Sequence, residues 1–484
     1  MDEPVTEKPP RLKTGVPGFD EVLEGGFVEG AAYIIQGEPG AGKTILANQI
    51  AFSALGEGRR VLYVTLLAES HERLFQALGT LEFFDKSKLG SEIIYISVFQ
   101  TLRDEGLSAV ASLLRRETAR HKATLLIFDG LLNARDRADT ELNVKTFVAE
   151  LQGQAAFVNC TILFLASSRL SEENPEHTMV DGVIDLRHEI IGVRSIRRLQ
   201  VKKSRATGAL GGYHEFGITH AGVAIYPRLE RLLRYPSVPD RISDALVTSG
   251  VRGLDPLVGG GLRSGTVTLV FGPSGSGKTS FGLSFLRAAS ADEPALHFGF
   301  YETPARLALK ANSIGVPLEQ TMEAGHLEIL WHPVTENLLD KLGADLLEAV
   351  ARRKVKRLFI DGLGGFVRAA AYPPRLVEFF TALSNELRAR DVTTLATWEM
   401  HELFGPTVAA PGHEMSGMVD NLIMLRPVEL NSEIRRVLSV LKIRDCSHET
   451  RLHEVVMGNE GLEVGVHLDP ASDVATGVAK TVQV

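Results

Sequence analysis

The stretch Gly37-Glu38-Pro39-Gly40-Ala41-Gly42-Lys43-Thr44 occurs again as Gly272-Pro273-Ser274-Gly275-Ser276-Gly277-Lys278-Thr279. Both copies fit G-x-x-x-x-G-K-[ST], which marks a phosphate-binding loop when it joins a strand to a helix. That context is present twice. Tyr33-Ile34-Ile35 and Thr268-Leu269-Val270-Phe271 are apolar and strand-like, and an amphipathic, helix-like segment follows each loop. Glycines let successive backbone N–H groups turn inward around phosphate oxygens. The helix N-terminus adds partial positive charge. On this reading Gly37, Gly40, Ala41 and Gly42 form one cradle, and Gly272, Gly275, Ser276 and Gly277 form the other. Lys43 and Lys278 reach the outer phosphates, and Thr44 and Thr279 ligate Mg2+. The plainer alternative is a glycine-rich turn that binds nothing. Two complete matches in the right context weigh against it.

The repetition extends beyond the loops. Gly15-Val16-Pro17-Gly18-Phe19-Asp20 and Gly25-Gly26 return as Gly250-Val251-Arg252-Gly253-Leu254-Asp255 and Gly260-Gly261, at a constant offset of 235 residues. Aligned without gaps, 15–44 and 250–279 share 12 of 30 positions, where chance gives only a couple. The chain is a duplicated domain, with a period far too long for a solenoid.

Later segments repeat as well. Leu125-Leu126-Ile127-Phe128-Asp129 is an apolar run ending in a carboxylate 86 residues after Lys43, and Leu358-Phe359-Ile360-Asp361 ends 83 residues after Lys278. A lone Asp after an apolar run is commonplace. At matched distances from two P-loops it reads as the acid that holds the Mg2+ shell at a strand's carboxyl end. The runs 60–66, 93–96, 161–166 and 392–397 read as further strands, 44–56 and 105–120 as helices, and a charged helix is expected from about Ser70. This alternation predicts an α/β fold: two tandem P-loop domains, each a mainly parallel sheet flanked by helices. Each half closes on a β-rich piece, 199–205 and 437–444. The expected layout is a disordered N-terminus over 1–11, a first domain over 12–234, a proline-marked linker over 235–245, a second domain over 246–467 and a flexible tail over 468–484.

Composition narrows the class. The 484 residues are too many for one core. A hydrophobic share of 44% and a charged share of 23% are ordinary for a globular protein. The net charge of -8 argues against a broad nucleic-acid surface. Cys160 and Cys446 lie in unrelated contexts, so no metal or disulfide framework is expected, and both read as buried free thiols. Met1-Asp2-Glu3-Pro4 is unlike a signal peptide, and no apolar run approaches transmembrane length. The expectation is a cytoplasmic protein with no membrane partner.

The tandem P-loops, the G-x-x-x-[FL]-D…G-G approach to each and the late K-x-R segments together resemble the KaiC-like ATPases of the RecA-like superfamily. The likeness covers roughly residues 12–465. It implies ATP and Mg2+ as cofactors, a homo-hexameric ring in two tiers, and ATP held between neighbouring protomers. It also implies that Lys203-Ser204-Arg205 and Lys442-Ile443-Arg444 reach into the neighbour's site. Cations supplied in trans stabilise charge on the γ-phosphoryl group. Without the resemblance they would read as surface charges on an edge strand.

Two family features do not transfer cleanly. The family pattern Glu-Glu-[Ser/Thr] follows the second strand, and its first Glu acts as general base. Here the sequences are Leu67-Ala68-Glu69-Ser70 and Phe300-Tyr301-Glu302-Thr303. Neither Ala68 nor Tyr301 accepts a proton from water at neutral pH. Either Glu69 and Glu302 take over as bases after a local shift, or hydrolysis is slow. Glu399 is a substitute carboxylate that reads more simply as a solvated strand-end side chain. The family's clock members phosphorylate adjacent Ser and Thr residues in the second domain. Here the matching positions are Ser416 and Gly417, so one possible phosphosite remains. A signalling or regulatory ATPase with an unidentified protein partner is the leading reading. A DNA-associated ATPase and a non-hydrolysing nucleotide scaffold are the alternatives. The acidic balance and the absence of a basic-aromatic stretch disfavour the DNA reading.

Overall fold

A computed structural model describes residues 9–66, 71–130, 141–167, 178–205, 208–239, 243–400, 418–430, 433–444, 446–458 and 461–467. The chain divides into two compact units, Met1–Leu232 and Leu233–Val484.

In the first unit the runs of consecutive apolar residues become strands buried on both faces, as parallel strands under helices must be. Among the described residues nine strands form one sheet. Its order is Ile93–Ser97, Val61–Thr65, Leu125–Asp129, Thr161–Ala166, Ala32–Gly37, Gly182–Ile191, Arg194–Ser204, His214–Thr219, Gly222–Tyr226. The first six run parallel and the last three antiparallel. One face packs on the helix Lys43–Gly56, whose Leu46, Ala47, Ile50 and Ala51 meet Tyr63, Ile127 and Leu163 in a single core. The other face packs on the helices Phe99–His121 and Glu141–Val158, through Leu102, Val110, Leu114, Phe147 and Val148.

The second unit repeats this plan strand for strand. Its order is Leu327–Trp331, Ala295–Gly299, Arg357–Asp361, Thr393–Glu399, Val267–Gly272, Asn421–Leu430, Glu433–Ile443, His453–Gly458, Gly461–His467. Again the first six are parallel and the rest antiparallel. In each unit one strand separates the P-loop strand from the strand that ends in Asp129 or Asp361. The loop's phosphate side and that carboxylate therefore lie at the same carboxyl edge, where ligands of such sheets bind. Two such sheets, each mainly parallel and flanked by helices, make this a tandem α/β protein of the RecA-like kind.

Several expectations change. The helix read over 105–120 begins at Phe99, and Gly106 interrupts it at φ 80° and ψ -175°. Arg11, assigned to the disordered N-terminus, pairs with Val28 in a short antiparallel ladder; residues 1–8 lie outside the described residues, as does the tail over 468–484. Within the proline-marked linker, Ser237 donates its backbone N–H to Glu386 at 2.7 Å, so this part of the linker is fastened to the second unit. Cys160 is buried, but Cys446 is exposed, so the expectation of two buried thiols holds for only one. Burial pushes the Cys160 thiol up to about 12. Among the described residues no helix is long and apolar enough to cross a membrane.

Candidate functional site

Each loop leaves its strand and enters its helix through a glycine that only glycine suits. Gly42 and Gly277 sit at φ 100° and 104° as the residues just before Lys43–Gly56 and Lys278–Leu286. The first turn of neither helix carries an acidic residue, so its positive end is uncompensated. Lys43 Nζ donates to the carbonyls of Gly37 at 2.9 Å and Glu38 at 3.0 Å. Lys278 Nζ donates to Gly272 at 2.8 Å and Pro273 at 2.6 Å. Both ammonium groups thus curl over their own loop, above the position a phosphate chain would take.

The electrostatics suit an anion. Burial lowers the proton affinity of Lys43, and the Asp129 carboxylate works against that. Burial does the same to Lys278, opposed by Glu399 and then by Asp361. A phosphate beside either lysine would restore the charged form. In the second loop the Ser276 hydroxyl is buried with no hydrogen-bond partner among the described residues. Ala41 stands at the matching place in the first loop.

The carboxylates converge on the loops as the spacing suggests. Thr44 Oγ1 donates to Asp129 Oδ2 at 3.3 Å, and Thr279 Oγ1 donates to Asp361 Oδ1 at 3.3 Å. One hydroxyl and one carboxylate per half form a hard oxygen set. It suits Mg2+, which keeps several waters and takes substrate phosphates as further ligands. Burial raises the Asp129 carboxyl, an effect that a divalent cation at this edge would reverse. Among the described residues no three His, Cys, Asp or Glu side chains gather as a separate metal cluster.

Other neighbours of these carboxylates are not visible as motifs. In the first half Tyr63 OH donates to Asp129 Oδ2 at 3.3 Å, Asn48 Nδ2 donates to Tyr63 OH at 3.2 Å, and Tyr95 OH donates to Asn48 Oδ1 at 2.6 Å. In the second half Thr397 Oγ1 donates to Asp361 Oδ1 at 3.0 Å and accepts the Gly362 N–H at 2.8 Å. His297 takes the place of Tyr63, with Nε2 4.0 Å from Asp361 and both ring nitrogens buried and unpaired among the described residues.

The glutamate question takes shape in the second half only. Ala68 and Glu69 lie outside the described residues, as do Ser416 and Gly417. Glu302 is paired with Lys310. The Tyr301 ring lies over the turn just past Asp361, so close that a Cβ on Gly362 would come within 2.7 Å of it.

The K-x-R residues occupy the opposite edge of each sheet. Ser204 pairs with Gly182, which pairs with Tyr33 near the start of the P-loop strand. Four residues at about 3.3 Å each separate that level from Gly37. Lys203 Nζ donates to Thr178 O at 3.3 Å and Val180 O at 2.7 Å, and Arg205 donates to Thr178 O at 2.8 Å. Likewise Lys442 Nζ donates to Val419 O at 2.9 Å, and Arg444 pairs with Asp420 at 2.9 Å. Burial, then repulsion from the adjacent arginine, lowers the proton affinity of both Lys203 and Lys442.

Fold and loops together define a tandem P-loop nucleoside triphosphatase with one phosphate-loop motif per unit. The family model described as ATPase: KaiC matches residues 12–230 and again 247–469, and the chain belongs to that ATPase family. It is 25% identical to circadian clock oscillator protein KaiC 1 of Synechocystis sp., over 94% of this chain and 89% of the relative. To circadian clock protein KaiC3 of the same organism it is 25% identical, over 94% of this chain and 92% of the relative. To circadian clock oscillator protein KaiC of Rippkaea orientalis it is 26% identical, over 95% and 89%.

Proposed function

We propose that this protein is a regulatory ATPase that binds ATP–Mg2+ at two sites per chain and assembles through them into a homo-hexameric ring. The observation that carries this reading is the division of each unit. Lysine, threonine and aspartate meet at one edge of the sheet, while the Lys-x-Arg cations of the same unit lie at the other edge, out of reach of their own loop. A second copy of the chain would bring those cations to the phosphates, with Lys203 and Arg205 serving one tier and Lys442 and Arg444 the other. Names of relatives as clock proteins support a signalling role, with a protein partner reading the nucleotide state.

Turnover is slow on this reading, because Tyr301 holds the place of the family's first glutamate and Ala68 holds it in the first half. General-base help contributes about 10²–10⁴-fold. Any self-phosphorylation is confined to Ser416, since Gly417 offers no hydroxyl. The test is mass measurement with and without ATP, paired with phosphate release. A hexamer that forms with ATP and releases phosphate slowly is expected. A chain that stays monomeric with ATP sinks the ring, and an Arg205→Ala or Arg444→Ala protein that assembles and turns over normally sinks the trans role. Phosphate found at several residues after incubation with ATP would contradict the single-acceptor reading.

A further inference from the structure

We propose that Glu399 is the carboxylate that positions and deprotonates the attacking water in the second half, in place of the glutamate that Tyr301 displaces. The inference rests on the reading of the second site as an ATPase. It begins from the sheet. Thr393–Glu399 is the strand between the P-loop strand and the strand ending in Asp361. Its last residue is in register with Gly272, the first residue of the loop, and the next residue, Met400, donates its N–H to Gly272 O at 3.0 Å. Glu399 therefore stands at the carboxyl edge between the phosphate loop and the metal-side carboxylate.

Its direction follows from strand alternation. Side chains two residues apart share a face. Thr397 Oγ1 donates to Asp361 Oδ1 at 3.0 Å, which places that face toward Asp361 and Thr279. Glu399 follows on the same face, one step further out. Among charged groups it acts on the Lys278 ammonium more strongly than Asp361 does. Its side chain is exposed and has no hydrogen-bond or ion-pair partner among the described residues, whereas Glu302 is committed to Lys310. Among the described residues the first half has no such device at the matching positions. Gln36 pairs with Ala166, which puts Ser167 level with Gly37, where Glu399 is level with Gly272. Leu165 stands where the second half has Thr397.

In the step proposed, the water oxygen forms a bond to the γ-phosphorus as the bond from that phosphorus to the β–γ bridging oxygen breaks. The electron pair leaves with ADP. The water proton passes to the Glu399 carboxylate and then to solvent, giving ADP and inorganic phosphate.

The experiment uses the full-length chain carrying Lys43→Ala, so that phosphate release reports the second site, with ATP binding measured in parallel. Adding Glu399→Gln should lower release by about 10²-fold or more while ATP still binds, and Glu399→Asp should retain part of the rate. Unchanged release with Glu399→Gln overturns the assignment and leaves the ATPase reading standing. So does unchanged turnover with tighter ATP binding, which would make Glu399 only a repulsive charge near the phosphates. Loss of release with Glu302→Gln and not with Glu399→Gln would hand the role to Glu302. If the Lys43→Ala protein binds ATP and releases no phosphate at all, the ATPase reading of the second site falls, and this assignment with it.

Discussion

Asp129 and Asp361 end equivalent strands of equivalent sheets, yet they are held in different ways. Asp129 takes hydrogen bonds from Thr44 and Tyr63, and behind Tyr63 stand the buried Asn48 and the half-buried Tyr95. Asp361 takes them from Thr279 and Thr397, and the position of Tyr63 holds a histidine whose ring nitrogens have no hydrogen-bond partner among the described residues. The two halves share the loop motif and differ in what supports the carboxylate. A loop that wraps a phosphate chain is constrained at every backbone N–H. A carboxylate needs only some donor on its far side, and a phenol from one strand serves as well as a hydroxyl from another.

The largest expected effect tests what the halves share. Lys43→Ala and Lys278→Ala each remove the cation that reaches the outer phosphates. Binding of a slowly hydrolysed ATP analogue should fall from two sites per protomer to one in either variant. Turnover at the altered site should drop by about 10²–10³-fold, the range for losing one preorganised transition-state donor. If one variant still binds two equivalents, its half does not rely on the lysine, and the common core of the comparison breaks.

Next comes the residue where the second half departs from the family pattern. Tyr301→Glu places a carboxylate beside Gly362 and removes a ring that covers that turn. With Lys43→Ala silencing the first site and Glu399→Gln removing the carboxylate proposed above, phosphate release should rise by on the order of 10-fold to 10²-fold, the low end of general-base catalysis. No rise would mean that the base is not what limits the second half.

The sequence exposed the parts that are contiguous or periodic. The two loops, the aspartates 86 and 83 residues on and the apolar strands were legible because backbone curvature and burial demand those residue types in a row. Tyr63 was not, because it sits inside an apolar run where a buried aromatic residue is the ordinary expectation. Only the pairing of Tyr63 with Ile127, two residues short of Asp129, puts its hydroxyl beside that carboxylate. Thr397 was hidden for the same reason, as one polar residue near a strand end. Gly182–Ile191 and Asn421–Leu430 were missed as strands because their polar and charged residues look solvent-facing, although Asp185 and Asn421 are buried. The distance of the Lys-x-Arg cations from their own loops required the register of the sheet.

The third test concerns the first half's support. Tyr63→Phe keeps the ring and its stacking on Tyr95 but deletes the hydroxyl that donates to Asp129 and accepts from Asn48. A buried donor left without its acceptor costs about 1–3 kcal/mol. Asn48 keeps its bond to Thr44 O at 2.7 Å, so the loss should fall at the lower end. Thermal unfolding of the nucleotide-free protein should show the first unit destabilised. An unchanged melting curve would mean that the phenol is dispensable and that the two halves differ less than their hydrogen bonds suggest.

The smallest expected effect has the opposite sign. His297 is 1% exposed, its ring centroid lies 5.3 Å from that of Phe359, and neither ring nitrogen has a hydrogen-bond partner among the described residues. In the unfolded chain those nitrogens bond to water, and in the folded unit no protein group among the described residues takes the water's place. Asp361 is 4.0 Å from Nε2, beyond hydrogen-bond reach, and already has Thr279 and Thr397. Replacing a buried unsatisfied polar group by an apolar one of the same shape is neutral to stabilising. His297→Phe should therefore raise the stability of the nucleotide-free second unit by about 1 kcal/mol, reduced by whatever strain the larger ring introduces. The same position in the first half would respond in the other direction to loss of its polar atom, which is the sharpest form of the contrast. A destabilised His297→Phe protein would show that the imidazole does hold Asp361, or a water between them. The two halves would then support their carboxylates alike, through the same strand position.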